Sequence, residues 1–129
     1  MDMLIKMNGK SKISAEYKGF VINTDQSLAS GGENTALPPF DLFLASIGTC
    51  AGYYIKAFCD QRDIDTDGIE ITQKMIYNKE EHRVSGIDIE VKLPENFPMK
   101  YKDALINAAN TCAVKRHILT PPEFKIYTI

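Results

Sequence analysis

The segment from Phe40 to Phe58 constrains the fold more than any other. Phe40, Phe43, Leu44, Ile47, Ala51, Tyr54, Ile55 and Phe58 recur at steps of three and four, the spacing of one apolar stripe on a long helix. Pro38-Pro39 opens it and the polar stretch Asp60 to Asp67 ends it. A stripe that continuous must be covered, so sheets or further helices have to be found elsewhere in the 129 residues.

The remainder supplies them. Ile13, Ala15 and Tyr17 alternate with polar residues, Lys18-Gly19 marks a turn and Phe20-Val21-Ile22 follows, which reads as a hairpin. Ser27 to Pro39 loses all periodicity and reads as a glycine-rich loop. Ile69, Ile71, Gln73 and Met75 share one strand face, and Ile87, Ile89, Val91 and Leu93 another, joined through Asn78 to Arg83. Tyr101, Ala104, Leu105, Ala108, Ala109, Cys112 and Leu119 outline a second helix stopped by Pro121-Pro122, and Phe124 to Ile129 reads as a closing strand. The order ββ, helix, ββ, helix, β gives an α+β fold with mainly antiparallel pairing, and residues 1–129 suit one domain.

Composition narrows the function. Fifteen Lys and Arg face seventeen Asp and Glu, a formal charge of −2, so no positive field is available for nucleic acid. No apolar run approaches the ~20 residues of a membrane span, and Met1 to Met7 lacks the features of a signal peptide. Three widely spaced cysteines, Cys50, Cys59 and Cys112, do not form a secreted disulfide framework. These features together describe a cytoplasmic protein.

The cysteines carry the candidate chemistry. With Phe40 at zero and ~100° per residue, Cys50 falls near 280°, at the border of the stripe, and Cys59 near 100°, toward the exposed side. Ser46-Ile47-Gly48-Thr49-Cys50-Ala51-Gly52 is depleted of bulk, which suits either close approach to the sulfur or close helix packing. Cys50 and Cys59 lie about 13 Å apart along one helix, too far for a disulfide. A bond between Cys50 and Cys112 is geometrically open. Cys112 and His117 are five apart with no metal-binding spacing, so no metal and no cofactor are expected.

The string Gly31-Gly32-Glu33-Asn34-Thr35, then Pro38-Pro39-Phe40-Asp41-Leu42, then Gly48-Thr49-Cys50, with Cys112-Ala113-Val114 later, resembles the OsmC-like superfamily, which includes osmotically inducible and organic hydroperoxide resistance proteins. The resemblance implies an intertwined homodimer, with two central helices wrapped by sheets and sites at the subunit interface. Gly48 and Gly52 would serve close contact between subunits. It implies that Cys50 attacks a hydroperoxide and becomes a sulfenic acid, that Cys112 resolves it as a disulfide, and that a dithiol reductant restores both. The role is thiol-dependent hydroperoxide reduction in oxidative stress defence.

The chain departs from the family pattern in the activating groups. Peroxidases of the family use an N-terminal arginine, held by a glutamate directly after the helix-opening proline. Here no Arg precedes Arg62, Phe40 follows Pro39, and Ala113 stands where proline often follows the second cysteine. Cys50 lies about ten residues into its helix, beyond the reach of the helix dipole. Asp41 and Arg116 are the auxiliary candidates, with Lys18 or a partner residue as substitutes; Arg116 also reads as a cation compensating a helix C-terminus. Phe40, Tyr53 and Tyr54 are the candidate substrate contacts, with Phe43 beside them. The alternatives are a dimeric small-ligand binding protein on the same fold, or a redox sensor whose disulfide alters a partner surface.

Overall fold

The computed structural model describes residues 2–129, which form two compact units, 2–45 and 46–129. In the first, strands β1 (Leu4–Met7), β2 (Ile13–Tyr17) and β3 (Phe20–Thr24) make an antiparallel meander in the order β1-β2-β3. The turn between β2 and β3 falls where the sequence places it. Lys18 (φ 52°) and Gly19 (φ 81°) are both left-handed, the backbone that matches strand twist in a two-residue hairpin. β1 is an addition to the sequence reading; its four residues are all exposed, so no buried alternation announces it.

The loop after β3 is organised by Asp25, which is fully buried. Its carboxylate accepts hydrogen bonds from the backbone N–H of Gln26 (2.8 Å) and Thr35 (3.0 Å) and from the Thr35 hydroxyl (2.6 Å). These donors, that of the Thr35 hydroxyl foremost, hold its pKa well below the usual carboxylate range. Glu33 bridges Lys12 (3.0 Å) and Lys10 (3.3 Å). Gly32 lies so close to the Gln26 backbone that a Cβ there would overlap its carbonyl. The Gly-Gly-Glu-Asn-Thr string is thus the clasp of a loop.

Helix α1 (Pro39–Asp60) begins with Pro39 at its first position; the amides of Asp41 and Leu42 donate to the Pro38 carbonyl. It ends where Arg62 donates to the Phe58 carbonyl (3.1 Å) and lays its guanidinium over the Phe58 ring, 3.7 Å from the centroid. By length and hydropathy α1 does reach the measure of a membrane span, its 18-residue window averaging 1.3, contrary to the run-length argument. A third of that window is buried within the fold, and Ile55, Phe58 and Cys59 form the core of the second unit with Phe97 and Leu105.

That core corrects one expectation directly, because Cys59 is 0% exposed. The buried residues of α1 (Leu44, Ile47, Ala51, Ile55, Phe58, Cys59) centre roughly 30° from Phe40 on the helical wheel, rotated toward Cys59 and away from Cys50. Phe40, Phe43 and Tyr53, counted with the stripe or beside it, are exposed instead.

In the second unit, β4 (Glu70–Asn78) and β5 (Arg83–Lys92) form the expected antiparallel hairpin, with Ile71 opposite Val91, Gln73 opposite Ile89 and Met75 opposite Ile87. The expected second helix is two. α2 (Lys102–Asn110) stops because the Thr111 hydroxyl bonds back to the Ala108 carbonyl (2.7 Å), and Cys112, extended at φ −60° and ψ 146°, caps α3 (Ala113–Leu119). The closing strand expected over Phe124 to Ile129 is not formed. That segment has no regular secondary structure and no ladder partner, and Ile126 is 98% exposed. A strand needs an edge to pair with, which periodicity alone does not supply.

Candidate active site

A half-open cavity of about 570 Å³ lies in the second unit between α1, β5, α2 and α3. Ile47 and Ala51 come from α1, Ile87, Ile89 and Val91 from β5, and Ile106 and Ala109 from α2. The β5 residues are the inward set of its alternation, so the strand pattern read from the sequence forms one cavity wall. Polar groups gather where α2 passes into α3. Cys112 is 2% exposed and its Sγ accepts a hydrogen bond from the Lys115 amide at 3.3 Å. The Lys115 ammonium donates to Asn110 Oδ1 at 2.7 Å.

Cys50 is half-buried on α1 and is not among the residues lining this cavity. It follows Ile47 by three positions and precedes Ala51 by one, so it sits on the flank of the helix face that does line it. Tyr53 and Tyr54, one turn on, stack edge to face with ring centroids 5.6 Å apart. All three cysteines are free thiols. Cys59 lies apart from this chemistry: burial in the core, with a smaller contribution from neighbouring Asp60, pushes its thiol pKa up.

The other site candidates are distributed more widely. Phe40, Phe43 and Asp41 lie on the part of α1 belonging to the first unit, the two phenyl rings 5.8 Å apart and Asp41 exposed in the first helical turn. Arg116 is exposed in the last turn of α3, four residues from Cys112. The cation in the cavity wall is its neighbour Lys115, which the sequence reading passed over because it assumed one unbroken helix. The Asn110-Thr111 pair, poor in helix propensity, is the signal that marks the break. Gly48 and Gly52 also have a local role. A Cβ on Gly48 would overlap the Gln73 amide oxygen, and one on Gly52 would meet Ile71 Cδ1 at 3.7 Å, so both let α1 approach its own β4.

Antiparallel sheets, a long apolar helix and two shorter helices, with cysteines on the long helix and at the start of the last one, define an α+β class of thiol-bearing domain. A family model of OsmC-like proteins matches residues 32–126, and the chain belongs to that family. No curated protein matches it significantly. Solved structures share the fold at low identity. A Psychrobacter arcticus 273-4 protein ascribed to osmotic stress induction and detoxification is 23% identical over 88% of this chain and 85% of its own, with a TM-score of 0.74. An OsmC-like protein of Mycoplasma pneumoniae is 13% identical over 93% and 87%, at 0.67. The Legionella pneumophila organic hydroperoxide resistance protein is 19% identical over 92% and 89%, at 0.55.

Proposed function

We propose that the protein is a homodimeric, thiol-dependent reductase of organic hydroperoxides, its two units acting as one domain in the cytoplasm. The observation that carries this reading is Cys112 Sγ in the wall of an apolar cavity whose other wall is the α1 face beside Cys50, in a chain of the OsmC-like family. The apolar lining suits an organic peroxide better than hydrogen peroxide. The Cys50 thiolate attacks the terminal peroxide oxygen, the O–O bond breaks, and the alkoxide leaves as the alcohol after taking a proton. Cys50 is then a sulfenic acid. The Cys112 thiolate attacks that sulfur, hydroxide leaves and takes a proton to become water, and a disulfide forms. Two electrons have passed to the peroxide, and a dithiol reductant returns them by thiol–disulfide exchange.

Dimerisation is supported by what one chain leaves uncovered. Leu4, Ile5, Phe20, Val21 and Ile22 are exposed on the first unit's sheet, and the α1 face bearing Cys50 and Tyr53 points away from the chain's own core. Tyr53 and Tyr54 are the substrate contacts in this reading, with Phe40, Asp41 and Arg116 as auxiliary groups. Sedimentation should return about twice the 14.5 kDa chain mass.

The decisive experiment is intact-mass analysis with thiol alkylation, before and after one equivalent of cumene hydroperoxide. A Cys50–Cys112 disulfide within seconds is expected. Cys50→Ser should abolish peroxide consumption, and Cys112→Ser should leave one turnover and a trappable sulfenic acid. If both thiols stay alkylatable for minutes, the reading fails. The absence of Cys50 from the cavity lining favours, in that event, a small-ligand binding protein with the same cavity.

A further inference from the structure

The cavity's charge distribution specifies more than apolarity. Of the residues that line it, Lys115 carries the one formal charge. It is half-buried, pairs with no carboxylate among the described residues, and its ammonium donates to a neutral amide, Asn110 Oδ1. An ammonium has three N–H donors, so two remain for a ligand at the mouth of an apolar chamber. A carboxylate would satisfy both and neutralise the charge, whereas a cation is repelled and an alcohol offers one weak acceptor. Ile47, Ile87, Ile89, Val91 and Ile106 present only hydrocarbon to the remainder of the molecule.

We infer that this cavity takes a monoanionic amphiphile, with a hydrocarbon body among these branched side chains and a carboxylate head held by Lys115. Lys115 then determines which peroxides or product-like acids are held; it is a specificity residue and takes no part in the redox step. The inference rests on the reading of this cavity as the ligand site, and goes beyond it by assigning the head group.

The test uses the reduced full-length protein and non-peroxide probes: octanoate, 1-octanol and octylammonium, titrated by calorimetry at pH 7. Octanoate is expected to bind at least about tenfold more tightly than octanol, the scale of one charge-assisted hydrogen-bonded contact. Octylammonium should bind more weakly than octanol. Hexanoate, octanoate and decanoate should tighten by about fourfold per methylene added. In Lys115→Met, which keeps the aliphatic stem, octanoate and octanol should converge, and Lys115→Arg should restore the preference. Equal binding of octanoate and octanol by the unmodified protein overturns the inference, as does a preference retained in Lys115→Met. No octanoate binding, or binding that appears only as the dimer dissociates, overturns it too, the cavity then being filled by chain. A parallel pulse of tert-butyl hydroperoxide, too small and neutral to need Lys115, tests the disulfide chemistry separately. Octanoate binding without disulfide leaves the head-group assignment standing and refutes the reductase.

Discussion

Leu105→Ala tests whether the second unit has the tightly packed core that its cavity requires. Leu105 is 0% exposed on α2 and packs with Ile55, Phe58, Cys59 and Phe97. The substitution removes three carbon atoms, worth about 2.4 kcal/mol in transfer free energy at ~0.8 kcal/mol each. If about 35 Å³ of the vacated space stays empty, the cavity adds roughly 0.8 kcal/mol at ~24 cal/mol per Å³. The expected loss is therefore about 3 kcal/mol. With an unfolding entropy near 2.1 cal/mol/K per residue, that lowers the Tm of a chain this size by about 11 °C. Urea unfolding at fixed protein concentration should show a lower midpoint with unchanged slope. Leu28→Ala, 74% exposed on the short 3-10 turn Leu28–Ser30, is the control and should stay within about 0.5 kcal/mol. A Leu105→Ala loss below about 1 kcal/mol would mean that α2 does not pack as described, and the cavity wall it supplies would fall with it.

Three further outcomes follow from single observations. Asp25 is deprotonated in the fold at pH values where an unfolded chain would bind a proton, so its contribution is present above about pH 4 and is lost as pH falls below it; acid unfolding of Asp25→Asn should be shallower there than that of the unsubstituted protein. Iodoacetamide should label Cys50 in the native protein and reach Cys59 only in denaturant, because Cys59 is enclosed and its thiol pKa is raised; peptide mapping of native Cys59 adducts would contradict this. Gly32→Ala should cost at least about 1 kcal/mol because its Cβ meets backbone, while Gly48→Ala should cost less because the Gln73 side chain can turn aside; paired urea curves decide the order.

The parts of the fold legible in the sequence are those with strong local signals. The α1 helix, the Lys18-Gly19 turn and the β4–β5 alternation each carry their own period or turn chemistry, and each appears where expected, with the buried face of α1 turned toward Cys59. What failed to read through depended on partners. Phe124 to Ile129 has strand chemistry but no paired edge, β1 is a strand with no buried face, and Thr111 ends α2 through one side-chain bond that a helical wheel does not register. Asp25 went unnoticed as one acid among seventeen acidic residues, since its burial follows from donors eight and ten residues away.

The site follows the same division. Cys50 and Cys112 are proposed as the reactive pair on their motif strings, and the groups the structure places around them could not be read from the sequence. Family resemblance directs attention to an N-terminal arginine, where this chain has none before Arg62, and to a glutamate at the front of α1, where it has Phe40 and an exposed Asp41. Lys115 instead stands in the cavity wall beyond the break at Thr111, its amide on Cys112 Sγ and its ammonium on Asn110 Oδ1. The break, where the Thr111 hydroxyl turns back onto Ala108, sets the direction in which α3 leaves α2 and so where Lys115 falls; within α3 Cys112 and Arg116 keep their one-turn spacing, the Arg116 amide donating to the Cys112 carbonyl at 3.1 Å, and Arg116 is exposed. A Thr111→Ala substitution, which removes that bond and raises helix propensity, is therefore expected to shift octanoate affinity without touching any cavity-lining side chain. Affinity unchanged within twofold would show that the position of Lys115 does not depend on the break.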